Sequence, residues 1–151
     1  MQTPIGEIMT QKLETIGVSN TAQEAAKKMA DKNVSSLVVI DNAEKPIGIV
    51  TERDLVRRVC VNDASSSTFI IHDIMSSPLV TIDANSSVEV AADIMIQNKV
   101  RHLLVVTENG KEALGIITPT NFTAYLKKNL NMDDVNARIL HSLAEEEGAG
   151  F

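Results

Sequence analysis

The feature that most constrains this chain is that it is written twice. Residues 7–16, EIMTQKLETI, return as residues 73–82, DIMSSPLVTI, with Met75 under Met9 and Thr81 under Thr15, sixty-six positions on. The register continues through Ala25 and Ala26 over Ala91 and Ala92, Met29 over Met95, Val34 over Val100 and Leu37 over Leu103. One residue inserted near Gly110 then widens the offset by one, so that GIVTERD (residues 48–54) aligns with GIITPTN (residues 115–121). A one-residue insertion confined to a polar, turn-like stretch is what a hairpin tolerates. Self-similarity at a fixed period fixes the architecture before any single element is assigned.

Each copy has the same order of patterns. LETI and LVTI alternate as short strands. Ala22, Ala25, Ala26, Met29 and Ala30, and then Val88, Ala91, Ala92, Met95 and Ile96, recur at helical spacing. SLVVID and HLLVVT are unbroken aliphatic runs that read as buried strands, followed by turn-like DNAEKP and ENGKEA. IGIVT and LGIIT return as the paired strand, and helices open at ERDLVRRV and PTNFTAYLKK. The expected class is α/β (α+β), each unit β-α-β-β-α. One such unit is too small to bury a dependable core, so two packed about a pseudo-twofold axis are expected. The division falls at 1–64 and 65–131, with NDASSST (residues 62–68) as the link. Residues 132–151 carry Val135, Ile139 and Leu143 at i, i+4, i+8 and read as one more amphipathic helix followed by a frayed acidic tail.

Composition removes several function classes. The formal net charge of −6, with no Trp, one Tyr and three Phe, opposes nucleic-acid binding, which depends on clustered cations and aromatic stacking platforms. No apolar run approaches a membrane span, and no signal-peptide pattern opens the chain. Cys60 is the only cysteine, which excludes an intrachain disulfide or a cysteine-rich zinc site and suits a reducing cytoplasm. His72 and His141 have no neighbouring ligand residues, so no metal site is expected. Cys60, spaced with Val56 and Val59, reads as core. No G-x-S-x-G, H-E-x-x-H, P-loop or Cys–His arrangement is present, so the chain does not read as an enzyme.

The strand-to-helix corners at Thr51 and Thr118 admit two readings. Thr51 with Asp54 three residues on approximates a capping box, and Pro119 after Thr118 is a favoured first-turn proline. The same geometry presents free N–H groups and a positive dipole end to a phosphate, with Asp54 one turn along to accept from ribose hydroxyls. Gly48 and Gly115 allow a close backbone approach.

The duplicated unit closed by GIVTERD and GIITPTN resembles the CBS (cystathionine β-synthase) domain family, over roughly residues 5–131. The resemblance implies a Bateman-type pair that binds adenine nucleotides or other adenosyl ligands in two symmetry-related clefts. It implies threonine on phosphate and aspartate on ribose: Gly48, Ile49, Thr51 and Asp54 complete the pattern, whereas the second copy has Gly115, Ile116 and Thr118 with Asn121 in place of the acid. The clefts of the family are built crosswise. One would hold Thr51 and Asp54 with Thr81, Ile82, Arg101 and His102, where the basic pair resembles phosphate contacts in nucleotide-binding members. The other would hold Ile16, Ser35, Ser36, Thr118 and Asn121, with poorer provision for ribose and phosphate. Arg101 and His102 read either as solvent-facing residues at a strand start or as those contacts. Arg53, Arg57 and Arg58 read as a solvated stripe, with Arg53 near enough to Thr51 to meet a phosphate. The expected function is a regulatory sensor of AMP, ADP or ATP, without a cofactor, acting on a separate regulated protein and forming a homodimer. The alternatives are a dimerising scaffold with degenerate clefts and a sensor of S-adenosylmethionine or another adenosyl ligand.

Overall fold

The computed structural model describes residues 3–129 and 132–148, so the expected boundary at 131 and the end of the acidic tail lie outside the described residues. The first repeat forms β1 (Thr15–Gly17), α1 (Ala22–Lys32), β2 (Ser36–Ile40), β3 (Pro46–Thr51) and α2 (Glu52–Arg58). A four-residue helix, α3 (Ile71–Ile74), precedes the second set: β4 (Thr81–Asp83), α4 (Val88–Asn98), β5 (Leu103–Val106), β6 (Ala113–Ile117) and α5 (Pro119–Asn129). The chain ends in α6 (Met132–Gly148). The mixed α and β class and the repeated β-α-β-β-α order are therefore observed.

Each repeat builds its own three-stranded sheet, ordered β1-β2-β3 and β4-β5-β6. The first pair in each is parallel, joined across a helix, and the second is an antiparallel hairpin. The sequence sets these hairpins locally. The Asp41 carboxylate accepts from the amides of Ala43 and Lys45, both at 2.9 Å, and Glu44 takes a left-handed φ of 62°. The second turn, closed by the Thr107 amide on the Glu112 carbonyl, contains the inserted residue and places Gly110 at φ 71°, where a side chain would be strained. Thr21 starts α1 with a full capping box and Ser87 caps α4 by accepting from the Val90 amide. The alanine stripe then lets α1 and α4 lie close on their sheets, burying Ala22, Ala25 and Met29 in one and Ala91 and Met95 in the other.

Two cores and a seam follow. One core gathers Ile16, Leu37, Val39 and Val50, the other Ile82, Leu103, Val105 and Ile117. Between the sheets, Val38 and Ile49 meet their repeat counterparts Leu104 and Ile116. The segment that opens each repeat is exchanged. Ile5, from the first repeat, is buried in the second core, while Ile71 and Ile74 complete the first core. Backbone bridges fix the exchange: Thr10 pairs with Ile116, and Ser76 with Ile49.

These bridges explain the two motif glycines. A Cβ at Gly48 would lie 2.8 Å from the Ser76 carbonyl oxygen and 2.9 Å from Met75 Sδ, and one at Gly115 would collide with the Thr10 carbonyl and Met9 Sδ. The close backbone approach expected at these positions is an approach of the protein's own exchanged segments.

One expectation is corrected. Cys60 is exposed, as is Val56, because α2 stops at Arg58 and the chain tightens into a 3-10 turn over Cys60–Asn62; Val59 alone of that trio is buried. The helix expected within residues 132–151 is α6, which runs to Gly148 and includes the acids Glu145, Glu146 and Glu147. Ile139, Leu140 and Leu143 lie exposed along α6. Among the described residues no helix is long and apolar enough to cross a membrane.

Candidate functional site

The corner at the end of β3 contains the one charged side chain buried among the described residues, Asp54, which is 7% exposed. Thr51 caps α2: its Oγ1 accepts from the Asp54 amide and donates to Asp54 Oδ2, both at 3.1 Å, and its amide donates to the same oxygen at 3.0 Å. The other carboxylate oxygen, Oδ1, accepts from Ser76 Oγ at 3.1 Å and lies 3.8 Å from Arg58 Nε. Arg58 reaches further, donating from Nη1 to the carbonyls of Ile74 at 3.1 Å and Met75 at 2.8 Å. The helix-capping geometry is thus present in full and is tied to the exchanged segment.

The second corner keeps the cap and alters the rest. The Thr118 amide and hydroxyl donate to Asn121 Oδ1 at 2.9 and 3.1 Å. Asn121 Nδ2 donates to the Ile8 carbonyl at 2.9 Å and to Thr10 Oγ1 at 3.2 Å. An amide has two donor hydrogens and two acceptor lone pairs, and all four are engaged here. A carboxylate offers about four acceptor sites, of which Asp54 uses three in hydrogen bonds. By this count Asp54 keeps one acceptor site outside hydrogen bonds, beside Arg58 Nε, and Asn121 keeps none.

A cavity of about 510 Å³ opens at the first corner, within the size range of small-molecule sites. Thr51 and Asp54 line it from one repeat, Arg101 and His102 from the other, and Ile49 and Arg53 also border it. Burial pushes the His102 imidazole below its ordinary pKa, the Arg101 charge adds to this, and Asp54 opposes it. His102 therefore favours the neutral state while retaining a carboxylate that would stabilise its charged form.

Other expected residues fall differently. Thr81 and Ile82 do not line this cavity; Pro78, Leu79 and Val80, just before them, do, because strand alternation turns Ile82 into the second core. Ser35 and Thr118, expected at the mirror cleft, border this cavity too. Ser35 is held there because its carbonyl accepts from the Glu52 amide, and the hairpin register pairs Ser36 with Thr51 of the same repeat. Ile16 is in the first core, Ile116 is at the seam, Gly48 and Gly115 face the exchanged segments, and Asn121 holds the opening segment of the chain. The basic stripe is not simply solvated: Arg53, Arg57 and Arg58 all line the cavity. Lys99 and Ser76 complete it without having been singled out in the sequence. Lys99 is recognisable only as the left-handed residue ending α4, with φ 55°. Among the described residues no cluster of His, Cys, Asp or Glu could hold a metal ion.

The chain was compared with known proteins. The family model for the CBS domain matches twice, over residues 5–60 and 71–128. An uncharacterized protein of Methanopyrus kandleri is 36% identical over 114 residues, spanning 76% of this chain and 58% of that protein, so the chain corresponds to little more than half of that relative. The crystal structure of a conserved protein from Pyrococcus horikoshii superimposes with a TM-score of 0.76 at 30% identity, covering 87% of this chain and 97% of that one. A hexameric CBS-CP12 protein from bloom-forming cyanobacteria does so with a TM-score of 0.77, also at 30% identity, over 99% and 91%. With both repeats matched, and with fold and sequence agreeing, the chain belongs to the CBS domain family, of which it carries two copies.

Proposed function

We propose that this protein is a regulatory sensor that binds an adenine nucleotide in the cavity between its two CBS domains and transmits the occupied state to a separate protein. The observation that carries this reading is the meeting of Thr51 and Asp54 from one repeat with Arg101 and His102 from the other in a single cavity. Asp54 supplies the acceptor for ribose hydroxyls, and Arg101, with the positive ends of the flanking helices, supplies the complement for phosphate. A ligand touching both repeats favours whichever arrangement of them it fits best, and that differential affinity is what a partner can read. The mirror corner, with Asn121 saturated by the chain's own groups, is the weaker site in this reading. No catalytic step is assigned, and the cytoplasm is the proposed place of action.

The test is calorimetric titration of the whole chain with AMP, ADP, ATP and S-adenosylmethionine. Asp54→Ala should weaken nucleotide binding at least about tenfold, equivalent to about 1.4 kcal/mol, while Asn121→Ala should leave it near wild type. The reverse ranking would place the working site at the other corner.

A second reading, self-association, has its own support. Val56, Val61 and Ile96 are exposed, and the similar CBS-CP12 protein is hexameric. Assembly into at least a homodimer is compatible with sensing, and sedimentation of the ligand-free chain would reveal it.

A further inference from the structure

The charge inventory of the cavity bears on which nucleotide it takes, an inference that rests on the proposed function above. Five permanent cations border it: Arg53, Arg57 and Arg58 from α2 of the first repeat, and Lys99 and Arg101 from the connection between α4 and β5 in the second. Two carboxylates, Glu52 and Asp54, share the same walls, leaving an excess of three positive charges with His102 neutral. The rest of the chain has the opposite balance, with a formal net charge of −6. Only Arg58 among the five forms an ion pair with a carboxylate among the described residues, and that pair, with Asp54, spans 3.8 Å. Arg53, Arg57, Lys99 and Arg101 are exposed and have no such partner. Like charges gathered on facing walls repel one another, and an anion between them relieves that repulsion. The opening of α5, at Thr118, Pro119 and Thr120, borders the same space, so the positive end of an eleven-residue helix lies beside it.

From this we infer that the cavity is built for an adenosine di- or triphosphate rather than for a monophosphate or a cationic adenosyl compound. A phosphate monoester carries about −2 at neutral pH, less than the excess of the walls, and each added phosphoryl group brings about one more charge. Ile49, Leu79 and Val80 also line the cavity and offer the base apolar contacts. S-adenosylmethionine would bring a sulfonium into an electropositive space.

The experiment is titration calorimetry of the full chain at low ionic strength with a chelator present, using ATP, ADP, AMP, S-adenosylmethionine and inorganic tripolyphosphate. ATP should bind at least about tenfold more tightly than AMP, with ADP at or near ATP. The Arg57→Gln/Lys99→Gln variant, altered at two exposed positions, should weaken ATP more than AMP and cut the ATP-to-AMP affinity ratio to below about threefold. AMP binding as tightly as ATP would overturn the phosphate assignment and leave the adenylate reading standing. If S-adenosylmethionine is the tightest ligand, the charge argument fails outright. Tripolyphosphate within about threefold of ATP would support the polyanion site and overturn the role given to adenosine. No binding of any nucleotide would remove both.

Discussion

Arg58 and Asn121 hold equivalent carbonyls at the two corners of the molecule. Arg58 Nη1 donates to Ile74, and Asn121 Nδ2 donates to Ile8, its counterpart one repeat earlier. The repeat position of Arg58 is occupied in the second copy by Tyr125, whose hydroxyl is 3.2 Å from Thr3 Oγ1. The second corner has therefore lost the guanidinium that fastens the exchanged segment, and the side chain standing where the carboxylate would be has taken over its donor role.

Restoring the motif aspartate should consequently harm the fold. Asn121→Asp keeps the cap but replaces two donors with lone pairs facing the Ile8 carbonyl and Thr10. A cost of about 1 kcal/mol is expected, the low end of the range for an unsatisfied group because this corner is only half-buried, measured by urea unfolding. The double variant Asn121→Asp/Tyr125→Arg should recover part of that loss. Full additivity of the two changes would show that the two positions are not coupled.

Gly48→Ala should destabilise by about 1–3 kcal/mol, the range for overpacking a filled site. The new methyl meets a backbone oxygen, not only a flexible side-chain end, and the segment at Ser76 must move off Ile49. Gly115→Ala should behave alike. A neutral outcome in equilibrium denaturation would mean the exchanged segments can shift freely.

His102 gives two pH dependences of fixed sign. Its folded pKa lies below the ordinary 6.5, so the unfolded chain takes up this proton first, and ligand-free stability should fall as pH drops through about 6.5. A bound phosphate facing His102, beside Arg101 and across from Asp54, raises the same pKa. Nucleotide affinity should then gain from this group as pH falls from about 8 to about 6. Because the terminal phosphate loses charge near pH 6 and works the other way, the readout is the difference between wild type and His102→Asn. Parallel pH profiles for the two proteins would exclude proton uptake at His102.

Cys60 should react with a thiol reagent in the native protein, without denaturant, at the rate of a small exposed thiol. Protection until unfolding would return it to the core.

The duplication is legible because it repeats unlike residues in order, and the strand–turn–strand of each unit follows from uninterrupted aliphatics. The capped corners are legible because threonine with a carboxylate or amide three residues on has few other uses. The exchange of the opening segments is harder to read. Ile5, Ile8 and Met9, like Ile71, Ile74 and Met75, carry helical spacing over a single turn, too short to distinguish from chance, and nothing local says which core they enter. The wall of the cavity is misjudged by a few residues for a related reason. Strand pattern tells that Ile82 is buried, whereas its facing the core and not the cavity depends on how the two sheets meet. The cations of α2 read as solvent-facing on their own helix, and only the connection between α4 and β5 turns them into one side of a cavity.

The exchanged segments also change what a half of this protein is. A chain severed between Cys60 and Ile71 would leave an N-terminal piece lacking the Ile71 and Ile74 plug of its own core, yet still carrying Ile5 for the other. The C-terminal piece would be its complement. Neither fragment is a finished module, and each displays the key to its partner's vacancy, so the two are built to find one another when expressed as separate polypeptides.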